Sequence, residues 1–237
     1  MIRATFALFG RTLRDGFRIW WLAPLIPALV VVPEFLQHVA EIRIGMFDSR
    51  EAARALSDDP RRMTWGYLKI AGLVLALLAS MRFWGAWKRG QRWWDVRGIA
   101  WKGFLIALAL LAATSIPGTL LESRIGAEKA GYIDIALALA TLPLMVMLVA
   151  ALGGATDASL REYFRHGWWP AVRMLLFAAA TWAPLQWLHG QNHMWAMGQH
   201  DAVVWALMVF DSLLVGLLAT MAGAAFHHGG QIEPAVR

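Results

Sequence analysis

Residues 202–226 read AVVWALMVFDSLLVGLLATMAGAAF, an apolar run whose single charged residue is Asp211. A helix that crosses a bilayer needs roughly 20 consecutive apolar residues, so this stretch predicts a span and sets the fold class. Working outward, five more stretches of the same kind occur at 19–35, 64–87, 103–121, 135–152 and 170–188. Composition agrees: of 237 residues 59% are hydrophobic and 16% charged, with a mean hydropathy of +0.50. Such totals exclude an ordinary soluble domain. The expected fold is all-α, a polytopic membrane helical bundle of about six transmembrane helices with interfacial amphipathic segments. It forms one integral membrane domain over 1–237.

The connectors carry the remaining polarity. Residues 1–18 interleave Arg3, Arg11, Arg14 and Arg18 with Phe6, Leu8, Phe9, Leu13 and Phe17, the pattern of a basic amphipathic segment at a membrane surface. No small-residue cleavage site follows, so the first span is expected to be retained. Pro24, Pro27 and Pro33 predict kinks in that span, which a bilayer tolerates where neighbouring helices meet the freed carbonyls. The longest connector, 36–63, reads as polar, with a short helix over 49–56 that stops before Asp58-Asp59-Pro60. Further along, a kink is expected at 115–118 and a helix stop with a cap at 153–157. An amphipathic segment at 158–169 and a polar loop at 189–201 complete the pattern.

The net charge of +6 and pI near 10.3 are read as Lys and Arg facing anionic headgroups. With the N-terminus inside, fourteen Lys and Arg fall on the inner side and eight on the outer. That bias predicts both termini in the cytoplasm and a multi-pass protein of the bacterial inner (cytoplasmic) membrane. Membrane lipids, anionic on the cytoplasmic side, are the expected partners. A homo-oligomer or a larger membrane complex stays open. No basic run belongs to a nucleic-acid fold, so no nucleic acid is expected. With no cysteine there is no disulfide framework and no thiolate metal site.

Fourteen tryptophans cluster near the ends of the expected spans, where indole sits well at headgroup level. Between 82 and 102, taken as a helix, Trp84, Trp87, Trp94 and Trp101 share one face and Arg82, Lys88, Arg89, Arg92 and Arg97 the other. The residues Trp84, Trp87, Arg89, Arg92, Trp94, Arg97 and Trp101 form the candidate surface for lipid or a partner. A snorkelling interfacial linker is the plainer reading, and Gly85, Gly90 and Gly98 weaken the helix.

Polar groups at membrane depth are the candidate sites. A lone carboxylate at the centre of a span costs roughly 2.5–3.5 kcal/mol, so Asp211 needs a partner. Lys69 has comparable depth, and Glu34, near the outer end of the first span, can join from a kinked helix, which makes Glu34, Lys69 and Asp211 a candidate intramembrane polar cluster. The alternative is that Lys69 and Glu34 snorkel while Asp211 hydrogen-bonds a neighbouring Ser, Thr or Trp. A second candidate is the run His189-Gly-Gln-Asn-His193, with Met194, Met197 and His200 beyond it. His189, His193 and His200 suit copper or zinc if the helix continues, yet Gly190 disfavours continuation and the run is not His-Glu-x-x-His. A polar loop is the preferred reading, and no cofactor is expected.

Gly90-Gln91-Arg92 with Asp95-Val96-Arg97-Gly98-Ile99 precedes one span, and Ser159-Leu160-Arg161-Glu162-Tyr163-Phe164-Arg165-His166-Gly167-Trp168-Trp169 precedes another. In this order they resemble bacterial six-helix membrane proteins of the YciC-like kind. Those are similar to the membrane domain of some glycerophosphodiester phosphodiesterases. The resemblance implies an envelope membrane protein and carries over no catalytic residue. There is no Gly-x-Ser-x-Gly elbow or phosphate-binding Gly loop, so an enzyme is the less favoured class. Two readings remain: a non-enzymatic envelope scaffold, accessory subunit or lipid-associated component, and a small permease using Pro-kinked helices and the Asp211/Lys69 site.

Overall fold

The structure, a computed structural model, describes residues 2–114, 116–155 and 159–232. They form α1 (Ile2–Leu22), α2 (Leu25–Arg43), α3 (Arg50–Ala55), α4 (Pro60–Trp87), a 3-10 turn at Val96–Gly98, α5 (Trp101–Ala113), α6 (Ile116–Ile125) and α7 (Ala127–Ala140). Then follow α8 (Leu142–Leu152), α9 (Leu160–His166), α10 (Trp168–Ala196) and α11 (Asp201–Gly229). No strand occurs among the described residues, and the all-α class holds. Ser115 of the expected kink, Thr156 and Asp157 of the expected cap, and Arg237 of the charge count lie outside the described residues.

Among the described residues, four segments are long and apolar enough to cross a membrane: Leu25–Arg43, Pro60–Trp87, Trp101–Ile125 and Asp201–Gly229. A fifth arises if α7 and α8, bent by 51°, count as one broken span; Pro143 sits in the first turn of α8. The sequence reading expects six. The remaining stretch, 170–188, lies in α10, which is 29 residues long but not apolar enough by the same measure. Arg173, Gln186 and two tryptophans, Trp182 and Trp187, dilute it.

The first span also shifts. Residues 19–22 belong to α1, and Ala23-Pro24 breaks the chain before α2 begins at Leu25. Pro24 caps α2 because a proline at a helix start forfeits only an N–H that has no intrahelical partner there. At its other end α2 runs on to Arg43, eight residues past the expected boundary at 35. In the 36–63 connector the short helix forms as read: the Ser49 side chain accepts from Ala52 N–H at 3.1 Å and caps α3.

By internal contacts the chain divides into two compact units. Unit 1 is Met1–Ser80 with Ala178–Ala225, and unit 2 is Met81–Phe177 with Phe226–Arg237. In unit 1 the core draws on Ile19, Ile26, Val30, Ala76, Met208, Leu218 and Ala222. Two glycines let its helices touch. A Cβ at Gly72 of α4 would fall on the Leu29 carbonyl of α2, and one at Gly223 of α11 would meet the Ser80 side chain of α4. Small residues at such crossings are how apolar helices gain packing where no hydrophobic drive separates them from lipid.

In unit 2, α5 packs on α8, α6 on α7 and α8 on α9. The buried Arg82 guanidinium organises one end: it donates to the carbonyls of Leu152 (2.8 Å), Gly98 (3.1 Å) and Asp95 (2.8 Å). Arg173 serves the C-terminal end of α11, donating to the Gly229 carbonyl at 2.9 Å and to the Gln231 carbonyl. The expected amphipathic segment forms α9, opened by a capping box in which Ser159 and Glu162 satisfy each other's backbone N–H.

Candidate functional site

The site is built in unit 1 from four helices. On α2, Glu34, Gln37, His38 and Glu41 recur at helical spacing, so one face carries four polar side chains, all buried. On α10, His189, Asn192 and His193 share a face in the same way, and α11 supplies Asp211. From α4 come Arg62 and Lys69.

Asp211 is the centre, with no exposed surface. Its Oδ2 lies 2.7 Å from His189 Nδ1, 3.1 Å from His38 Nε2 and 3.4 Å from His193 Nε2. Its Oδ1 accepts from Asn192 Nδ2 at 2.9 Å. The three imidazoles crowd together: ring centroids are 4.9 Å apart for His189 and His193, and 5.2 Å for His38 and His193. Phe47, 5.8 Å from His193, backs the site with Ala196, Val204 and Met208 as an apolar wall.

His38 links Asp211 to two more carboxylates. Its Nε2 is 3.2 Å from Glu34 Oε1, and its Nδ1 is 2.8 Å from Glu41 Oε2. Each of those has a permanent cation. Lys69 Nζ lies 3.1 Å from Glu34 Oε2, while Arg62 Nε donates to Glu41 Oε1 at 2.8 Å, with Gln37 Nε2 donating to the same oxygen at 3.1 Å. Three buried carboxylates thus face two permanent cations, which leaves one negative charge for an imidazolium or an entering cation to balance. A cavity of about 150 Å³ opens beside the site, lined by Glu34, Lys69, Trp182, Gln186, His189 and Leu218 among others.

The structure therefore merges two candidates that the sequence kept apart. Two members of the expected cluster, Glu34 and Lys69, pair with each other, whereas Asp211 bonds the histidines and not Lys69. His189 and His193 do share a helical face, because α10 runs through Gly190 to Ala196; the loop expected at 189–201 is confined to its last few residues. His200 is not part of the cluster: it is exposed and its Nδ1 accepts from Ala202 N–H at 3.3 Å at the start of α11. Met194 is exposed and Met197 packs on the Phe47 wall, so neither thioether accompanies the imidazoles.

Sequence reasoning missed His38, Glu41, Gln37, Asn192 and Arg62. The signal for the α2 face was present as the spacing 34, 37, 38, 41, one helical stripe of polar residues.

The candidate surface over 82–102 is not one helix. α4 ends at Trp87, Gly90 turns the chain with φ +64°, and the next helix starts at Trp101. Trp84 is buried against Phe83, while Trp87, Trp94 and Trp101 are exposed. Arg92 stacks over Trp94 at 5.7 Å, Arg89 donates to Gln91, and Arg97 pairs with Asp95 at 2.9 Å. Trp101 Nε1 donates to the Val96 carbonyl at 3.0 Å. Compared with family models, curated proteins and solved structures, the chain matches none.

Proposed function

We propose that this is an integral membrane protein whose function is cation handling at the Asp211-centred cluster, a small permease-type protein rather than a passive envelope scaffold. One observation carries this reading: Asp211 faces three imidazoles and an amide where a structural ion pair needs one partner. Burying charge among helices apolar enough to cross a membrane is costly, so a surplus of such groups marks function rather than stability. The unbalanced carboxylate charge favours a positive occupant, and the cavity beside Glu34 and Lys69 gives it a way in. The 51° bend between α7 and α8 adds an interrupted helix of the kind that transport folds use.

The setting we propose is the bacterial inner membrane, with both termini cytoplasmic and inner basic residues on anionic lipid, as the Lys and Arg distribution supports. The YciC-like resemblance is consistent with an envelope protein and adds no chemistry.

The test is flux. Purified full-length protein in sealed liposomes, with entrapped indicator dyes, is challenged with Na⁺, K⁺, Mn²⁺ and Zn²⁺ in turn. We expect uptake of at least one cation, reduced about tenfold or more by Asp211→Asn. Liposomes no leakier than empty ones to all four would return the protein to the scaffold class.

A further inference from the structure

We infer that the cluster is a binding site for a divalent first-row transition metal of the zinc or iron(II) class, ligated by Glu34, His189, His193 and Asp211. This deepens the cation-handling reading and rests on it for the biological use of the ion, though not for binding itself.

The donor set comes first. One carboxylate oxygen each from Glu34 and Asp211, and one ring nitrogen each from His189 and His193, all lie within 4.8 Å of one another. Bonds of about 2.0–2.2 Å to a tetrahedral ion place donors roughly 3.4 Å apart, so closure needs small side-chain adjustments. His189 and His193 stand four residues apart on one helix face, the spacing by which a single helix offers two imidazoles to one ion. Glu34 and Asp211 approach from two other helices, which gives the spread of directions that a tetrahedron requires.

The crowding at Asp211 Oδ2 points the same way. Three ring nitrogens lie within 3.4 Å of that single oxygen. A carboxylate oxygen offers two in-plane lone pairs, so hydrogen bonding does not use all three nitrogens well. A cation seated among them would.

The surrounding groups hold the ligands as an outer shell does. Asn192 occupies Asp211 Oδ1 and leaves Oδ2 for the ion. His38 is a positioning residue: Glu41 anchors its Nδ1 while its Nε2 steadies the Glu34 and Asp211 carboxylates. Lys69, partly exposed on a flexible stem, occupies Glu34 and withdraws as the ion enters. The nitrogen and oxygen donors select against Cu(I) and for borderline ions.

The test uses full-length protein in detergent, stripped of metal and titrated with ZnCl₂ by calorimetry, then with CoCl₂ read by visible absorption. We expect one saturable zinc per chain and intense Co(II) d–d bands of a four-coordinate nitrogen and oxygen site. Asp211→Asn and His193→Gln should each weaken zinc by about tenfold or more, His200→Ala should leave it unchanged, and Asn192→Ala should weaken it by a smaller factor. Thermal unfolding of the metal-free variants checks that each is folded, and His193→Gln is chosen to keep volume and polarity. No saturable binding of zinc or cobalt, or binding that Asp211→Asn and His193→Gln leave untouched, overturns the inference. One bound zinc without flux in liposomes keeps the site and overturns only the permease reading. Flux of Na⁺ or K⁺ without metal binding does the reverse.

Discussion

His38 and Asp211, 173 positions apart in sequence, meet at 3.1 Å with both side chains buried. This contact docks α2 on α11 and brings the Glu34, His38, Glu41 face of one helix to the lone carboxylate of the other. Removing His38 takes a buried hydrogen-bond partner from Asp211, Glu34 and Glu41 at once, although each keeps its others. His38→Ala should therefore lower stability by about 3 kcal/mol, read as the unfolding midpoint in detergent. A variant as stable as the parent would mean that the pair holds nothing together.

Lys69 competes with an entering ion for Glu34, 3.1 Å away. Lys69→Met, which keeps the apolar stem and removes the ammonium, should tighten zinc binding by about tenfold. A weaker Kd would show instead that Lys69 helps to form the site.

In unit 2, Arg82 gives three carbonyls their hydrogen bonds. Arg82→Met keeps the bulk and loses the donors, at a cost of about 3 kcal/mol. Arg82→Lys should recover little, because a point ammonium cannot reach carbonyls that a planar fork spans. Faster hydrogen exchange at Ala100, whose N–H donates to the Ala151 carbonyl at 3.0 Å, would report the local loss.

Gly72 sits where α4 crosses α2. Gly72→Ala drives a methyl into backbone, which cannot yield as a flexible side chain can, and should cost about 2 kcal/mol or more. Gly10→Ala, with nothing within 4 Å, is the control and should be neutral or slightly stabilising.

Asp59 caps α4 from outside the helix, accepting from Arg61 N–H at 2.8 Å and pairing with the Arg61 guanidinium. Those contacts lower its pKa from 3.8 to about 2. A depressed carboxylate contributes stability that is fully present above 3.8 and lost as pH falls through about 2. Amide exchange at Arg62 and Met63, whose N–H groups donate to the Asp59 carbonyl, should therefore quicken only in that acid window. Fraying already at neutral pH would remove Asp59 as the cap.

Asp211 and Lys69 were legible as residues in need of partners, because each interrupts a long apolar run. His38 and Glu41 were not. A hydropathy scan ends the first span at 35, whereas the helix continues to Arg43 with its polar face turned inward. Gly190 misled in the opposite sense. Its cost of about 1 kcal/mol against Ala argues for a loop, but the contacts of His189, Asn192 and His193 with Asp211 lie on either side of it and hold the helix through. Tertiary contacts outweigh a local propensity of that size.

What the amino-acid order determined by itself is the all-α class, the apolar segments, and which charged groups are expensive where they lie. Hydropathy and helical period are local properties, averaged over a turn or a span, and they need no knowledge of neighbours. Which of those groups meet was decided only in three dimensions. Contacts such as Leu29 against Gly72 and His38 against Asp211 depend on the angle and register at which helices cross, and no periodicity in the chain encodes these.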